Sequence, residues 1–562
     1  MKDLTNTSSD DNSTLWRSIL VTLLVYWVLV MGMWGIFAFD RGLPFETSFP
    51  VACQKGVHDC LVYGDTLRPY NSLFLGLGHL LGKGNGSYAT YQLLYGFLWL
   101  GRGVVTFFIF LRLWSAYPLF GFLAGALVIV HASDGALNWI GQLHQFGFIF
   151  CLGLSTYLLL ESWLAHKLSL AIFFLIAALI PLYICLWTYE SPYFLILSVP
   201  VILFALRPQI SRRFLATTAV WYVIPGIYGY LQFEKYLIAR AGNYQTSVLR
   251  PDMNVAAILH DWLLHIQQSL QFWRWATTLS PYGIAVLAPA IAGLCVVAFM
   301  IGAHLLSPTG LLGAKTPPTA HLLASFGIGL MILILSFPVY LLLAGNSMFW
   351  RTQMLSGFGS AIVLSSGILL LTKVMPKPKY RAVLAVALCS VIIFNGVRAG
   401  VFFQGFHEYR WQIHRSVMAQ ISHLTPNVES PTLILLTNLP KAYERDPFGA
   451  TLWFDFPIQL LYPDKDVVGY FIDENRSHPV DNPWKFTAEG MSWQKKGMTQ
   501  KIDQVSYSQI IALRYEPDDT ISLLEEFPDD LLPERFDTSM YAPHSRISRD
   551  FVSNRSIRMF AR

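Results

Sequence analysis

The feature that most constrains this chain is a succession of apolar runs, each close to the length that crosses a bilayer. A spanning helix takes about 20 largely apolar residues, rising about 1.5 Å per residue. Such runs fall near 16–39, 89–112, 115–131, 140–160, 168–187, 191–206, 214–231, 282–305, 320–344, 350–372 and 382–400. They predict about eleven membrane helices, with 191–206 the shortest. The composition agrees: 54% hydrophobic against 13% charged residues, with a mean hydropathy of +0.44. A water-facing domain carries about 25% charged residues. The run Leu20–Phe39 has no small-residue cleavage site and predicts a retained first helix.

Loop charges orient the helices. With the N-terminus in the cytoplasm, the inner loops hold Arg112, Lys167, the cluster Arg207, Arg212 and Arg213, then Lys315, and the cluster Lys373, Lys377, Lys379 and Arg381. Both dense basic clusters then lie inside, as the positive-inside rule requires. An odd number of spans puts the C-terminus outside. The same loops account for a net charge of +5. No basic face is clustered as nucleic-acid binding needs, which excludes that partner class.

The expected fold is therefore mainly α, a polytopic membrane protein with a C-terminal soluble α/β domain. Residues 1–15 form a cytoplasmic tail, 16–403 a membrane domain with long outer loops 40–88 and 232–281, and 404–562 an extracytoplasmic domain. In that last part, Thr432–Leu436, Val467–Ile472 and Gln509–Arg514 read as strands between turn-rich stretches such as DENRSHPVDNP. It has no CxxC or GxGxxG motif and reads as a binding or packing domain. Loop 40–88 holds a helical stretch at Asn71–Gly82. In loop 232–281, Val255, Ile258, Leu259, Trp262, Leu263, Ile266 and Leu270 share one helical face. That helix either lies on the bilayer or packs on the protein.

Of six cysteines, Cys151, Cys185, Cys295 and Cys389 lie in apolar runs as small core residues. Cys53 and Cys60 share one polar outer loop, where an oxidising compartment permits a disulfide.

Ionisable groups near membrane depth are costly, which makes them functional candidates. Asp40 follows the first span, as a general base or as a helix-end charge beside Arg41. Asp134 lies in HASDGALNWIGQLHQF with His131, Asn138, Gln142 and His144. Asn138, Gln142 and Gln145 fall on one helical face, either lining a cavity or bonding between helices. Glu190, ahead of Pro192, shapes a cavity or caps the next helix. Arg351 opens the tenth span, and Arg68 sits in GDTLRPYNSL; each suits a phosphate, or lipid headgroups. Arg102 lies within the second span. The His131 and His144 spacing is not diagnostic of a metal.

Four segments, in order, resemble the C-type (GT-C) membrane glycosyltransferase superfamily, in its protein O-mannosyltransferase-like branch. They are FAFD, LRPYNSLFLGLGHLLGKGNGSYATYQLLYG, VIVHASDGALNWIGQLHQFGFIF and LWTYESPYFLILSVP. The likeness covers about a third of the chain, the rest matching by topology. It implies an inverting transferase that takes a sugar from a polyprenyl-phosphate carrier. The acceptor would be a hydroxyl on a glycan, lipid or protein at the outer face of a plasma membrane, most simply a bacterial inner membrane. On that resemblance Asp40 is the catalytic base, with Glu46 and Asp65 as alternative acids, because the family's second adjacent acid is Arg41 here. Arg351, Arg68 or Arg274 would hold the phosphate. Asp134 and Glu190 would shape the cavity or hold acceptor hydroxyls, with Asn138, Gln142 and His144 as further substrate-binding residues. No motif requires a cofactor, although a divalent cation could help a monophosphate leave. The competing readings are a lipid-linked sugar transporter or flippase, and a non-catalytic assembly protein on the same fold.

Overall fold

The computed structural model describes residues 9–35, 53, 56–62, 68–82, 89–131, 142–206, 211–235, 254–274, 284–307, 309–342, 352–440, 448, 451–474, 484–493, 502–533 and 535–548. Two compact units result. The first takes in Met1–Ala38, Tyr63–Phe74 and Leu93–Gly405; the second takes in Phe39–Val62, Leu75–Gln92 and Phe406–Arg562.

Helices dominate the first unit. In chain order they are α1 (Ser9–Val30), α2 (Leu73–Leu81, shared with the second unit), α3 (Ala89–Leu113), α4 (Pro118–Ile129), α5 (Leu143–Leu164) and α6 (Leu168–Thr188). There follow α7 (Tyr193–Leu206), α8 (Arg212–Phe233), α9 (Val255–Leu270), α10 (Ile284–Leu305), α11 (Thr319–Leu335), α12 (Ser356–Thr372) and α13 (Arg381–Leu424, its part from Phe406 belonging to the second unit). Among the described residues, eight helices are long and apolar enough to cross a membrane. Pro118–Ile129, Tyr193–Leu206 and Ser356–Thr372 are shorter apolar helices that fall on three further predicted spans.

The outer surface of this unit is apolar where a soluble protein would be charged. Leu168, Ile172, Phe173, Ile176 and Ile180 on α6 are exposed, as are Trp16, Leu20 and Leu24 on α1. Patches of that extent need a nonaqueous solvent. The chain is a polytopic, mainly α membrane protein with a C-terminal α/β region.

Helix α4 is the centre, with every residue from Leu119 to Ile129 buried. Glycines let its neighbours approach. A Cβ on Gly125 would stand 2.6 Å from the Gly103 carbonyl of α3, and one on Gly121 3.1 Å from that of Phe107. Tyr26 of α1 donates its hydroxyl proton to the Phe122 carbonyl at 2.8 Å. Helices α11 and α12 meet in the same way, since a Cβ on Gly359 would lie 2.7 Å from the Leu333 backbone nitrogen. Backbone contact of this kind drives association where lipid offers no hydrophobic advantage.

Several predicted boundaries move. The span expected from 350 begins as a helix only at Ser356, so Thr352–Leu355 precede it. The span at 140–160 runs instead over Leu143–Leu164. Helix α13 continues past the expected 403 boundary to Leu424, because the next proline is Pro426. The 320–344 run breaks after Leu335, with Pro338 opening a separate short turn.

Helix α9 uses one face for the protein and leaves another open. Asn254 caps it, accepting from the Ala256 and Ala257 amides at 3.0 and 3.2 Å. Ile258, Trp262, Ile266 and Leu270 pack on Leu333, Phe337, Leu341 and Val363. Val255, Leu259 and Leu263 stay exposed.

In the second unit, strands β1 to β9 run from Asn427–Val428 to Ile547–Ser548. The main sheet has the order β3-β2-β7-β8. Its strands are β2 (Thr432–Leu439), β3 (Val467–Asp473), β7 (Ile510–Tyr515) and β8 (Ile521–Leu523). Strand β2 pairs parallel with both β3 and β7, and β8 is antiparallel to β7. The helix α14 (Thr451–Leu461) crosses from β2 to β3. Its buried Asp455 accepts from the Gly469 amide and from Gln459, both at 2.8 Å, which covers the outer edge of β3. Also in this unit, Cys53 and Cys60 form a disulfide.

Two substitutions test these contacts. Gly359→Leu should destabilise the protein by about 1–3 kcal/mol, because backbone atoms block the new side chain. Gly226→Ala, whose Cβ meets nothing within 4 Å, should leave the melting midpoint unchanged or raised. Thermal melting of the purified chain in nanodiscs checks both.

Candidate functional site

The polar side chains of the first unit gather where α4 ends. At Ile129 the last carbonyls of a buried helix point into protein, with no water to satisfy them. Trp99 donates its indole N–H to the Ile129 carbonyl at 2.9 Å, and Arg102 donates from Nη2 at 3.2 Å. The Arg102 guanidinium is almost wholly buried and lies 5.4 Å from the Phe146 ring centroid. A cation at a helix C-terminus also meets the negative end of the helix dipole.

Two residues on, His131 joins a buried hydroxyl cluster. Its Nε2 lies 3.1 Å from the Ser269 carbonyl and 3.2 Å from the Ser269 hydroxyl. A carbonyl only accepts, so the bond to it places the ring proton on Nε2. Ser269 Oγ lies 2.7 Å from Ser356 Oγ and 2.6 Å from Ser360 Oγ. Ser356 in turn donates to the Gln353 carbonyl at 2.7 Å. Gln353 Nε2 and Thr352 Oγ1 reach His265 Nδ1 at 3.0 and 3.1 Å, with the ring stacked on Phe337. The cluster ties α4, α9 and the start of α12 together, and it anchors the chain that directly follows Arg351 in sequence.

A second group lies on α5 and α6. Arg68 donates from Nε to Glu190 Oε2 at 2.7 Å and from Nη2 to Oε1, a bidentate pair. Its guanidinium sits 4.6 Å over the Tyr189 ring, which also stacks on Phe148 and tilts against His144. Gln145 donates to Gln142 at 2.7 Å. The Glu190 carboxylate therefore serves Arg68, while only its backbone carbonyl receives the Tyr193 amide ahead of α7. Two of the Arg68 donors are occupied by Glu190, which leaves less of that guanidinium for a phosphate. Helix α5 connects both groups, since Phe146 faces Arg102 and Phe148 faces Tyr189.

Of the residues predicted from sequence, the structure brings together Arg68, His144 and Glu190, and pairs Gln142 with Gln145. Asp40, Glu46, Asp65, Asp134, Asn138 and Arg351 lie outside the described residues. Sequence reading passed over His265, Ser269, Gln353, Ser356 and Ser360. The available signal was a pair of serines four apart on one apolar helix, facing a serine on an amphipathic one. Among the described residues, no group of three or more His, Cys, Asp or Glu could hold a metal.

The fold and this buried polar end define a multi-pass membrane protein whose chemistry-bearing groups are held inside an apolar bundle. No protein-family model matches the chain, and no curated protein does. Among solved structures it is similar to ArnT from Cupriavidus metallidurans bound to undecaprenyl phosphate, at 14% identity and a TM-score of 0.34. That match covers 83% of this chain and 87% of the other. The apo form of the same protein matches at 14% identity and a TM-score of 0.32, over 84% of this chain and 90% of the other.

The Arg68–Glu190 pair should show strong coupling. In a double-mutant cycle of Arg68→Met and Glu190→Gln, the interaction energy should come to about 1.5–3 kcal/mol, as for charged hydrogen bonds. A coupling near zero in thermal or denaturant unfolding would mean that the pair is not formed in the membrane.

Proposed function

We propose that this chain is an inverting glycosyltransferase of the C-type superfamily, working at the outer face of a plasma membrane. It moves a sugar from a polyprenyl phosphate to an acceptor hydroxyl. The N-terminus lies in the cytoplasm, and the C-terminal domain lies outside. The observation that supports the reading is a set of polar groups, buried at Arg102, His131 and Ser269 and part-buried at the Arg68–Glu190 pair, held within a bundle with an apolar exterior. A donor whose tail lies in lipid and whose phosphate lies at the surface needs a site of that kind.

In the proposed reaction the Asp40 carboxylate takes the proton of the acceptor hydroxyl. The acceptor oxygen forms a bond to sugar C1 from the face opposite the phosphate. The C1–oxygen bond to the phosphate breaks, and its electron pair leaves with the polyprenyl phosphate, so the anomeric centre inverts. Arg351 holds the growing negative charge on the leaving group. The His265, Gln353 and Ser356 contacts hold the residues directly after Arg351, which is the support a precisely aimed guanidinium needs. Asp134, Asn138, Gln142 and His144 line the acceptor side.

The test is release of radiolabelled sugar from a panel of polyprenyl-phosphate sugars by the protein in nanodiscs. The wild type should release label from at least one donor. Asp40→Asn should slow transfer by roughly 10²–10⁴-fold while remaining folded. Arg351→Ala should lose donor binding. Full turnover in Asp40→Asn would remove the base assignment, and no release from any donor would remove the transferase reading.

A further inference from the structure

The main sheet of the second unit ends in a cavity. Strands β2, β3 and β7 run parallel, so their carboxyl ends share one edge. From β2 the chain leaves through α14 to β3 on one side. From β7 it turns back into β8 on the other. Connections that diverge from neighbouring parallel strands leave a crevice at their carboxyl ends, the usual ligand position in open α/β sheets. A cavity of about 410 Å³ lies there, lined among others by Asn438, Asp473, Glu474, Arg514, Glu516 and Asp530. Its size falls within the about 300–1,000 Å³ of small-molecule sites.

The floor is tied down. Thr437 donates its hydroxyl proton to the Leu513 carbonyl at 3.0 Å, and Asn438 donates from Nδ2 to the Tyr515 carbonyl at 2.9 Å. Both bonds cross the gap between β2 and β7 at its mouth. Asn438 takes a φ of 60°, a left-handed conformation that asparagine tolerates better than most residues. Ser522 donates to Glu516 Oε1 at 2.5 Å, which orients that carboxylate.

The lining selects a ligand class. Four carboxylates against one guanidinium disfavour a phosphate or another anion. The guanidinium opposes a bound dication, and the described residues include no metal-holding group. Carboxylates accept hydrogen bonds, and Arg514 donates them. Pro517, Pro528 and Leu531 add apolar surface. Acceptors, a donor and an apolar wall together suit a ring with hydroxyls at its rim and C–H groups on its face.

We propose that this cavity binds a neutral, hydroxyl-rich ligand of sugar size. The proposal stands whether or not the membrane unit is a transferase. Saturation-transfer NMR on the full chain in nanodiscs tests it, since common detergents carry sugar headgroups. The probes are glucose and galactose, with glucose 6-phosphate and spermidine as charged controls. At least one neutral sugar should give a signal that weakens about tenfold in Arg514→Ala/Asp530→Ala, as expected for lost charged hydrogen bonds. Glu474→Trp, which adds bulk to the lining, should abolish the signal, with a cooperative thermal melt confirming that the variant is folded. No signal from either sugar, or one indifferent to both variants, overturns the proposal. So does equal binding of glucose 6-phosphate, or displacement of the sugar by spermidine, which would mark a cation site.

Discussion

Ile129 ends a helix that has no exposed face, and its carbonyl must find donors inside the protein. In water the end of a helix is hydrated at little cost. In a bilayer each unsatisfied backbone group costs several kcal/mol. Trp99 and Arg102 meet that need from α3, and the buried guanidinium in turn finds a carbonyl and two aromatic rings. A buried charge is thereby tied to the end of α4. Where the chain leaves α4, His131 continues the same logic toward Ser269 and α12.

These polar contacts depend on close backbone packing. Gly103 and Gly125 bring α3 against α4, and Gly329 and Gly359 bring α11 against α12. Larger residues there would push each helix pair apart, and at Gly357 a Cβ would stand 3.2 Å from the His131 ring that bonds Ser269. The polar groups and the glycines therefore form one design: small residues set the spacing, and hydroxyls at that spacing bond between helices. A cluster built this way has fixed geometry.

Much of the fold was legible because a bilayer imposes a single length scale. Runs of the required length fall on the helices that form, and the short β-type runs at Thr432, Val467 and Gln509 fall on β2, β3 and β7. Boundaries were less legible. Ser356 rather than 350 begins α12, and α13 runs on to Leu424, because caps and tertiary contacts decide where a helix stops. Periodicity identified α9 as amphipathic but did not say what its apolar face meets. Leu333 and Phe337, far away in sequence, took Ile258, Trp262 and Ile266. Leu259 and Leu263 remained exposed.

By itself the sequence determined that this chain lives in a membrane, that its tail is a separate α/β region, and that Arg68, His144 and Glu190 are unusual for their surroundings. Those conclusions rest on composition and spacing, which are local properties. Only the tertiary structure decided which groups answer one another: that Glu190 holds Arg68 rather than capping α7, that Arg102 satisfies Ile129, and that Ser269 joins His131 to α12. Hydrogen bonds at buried sites are chosen by which side chains packing brings together, here across separations from 27 to 138 positions.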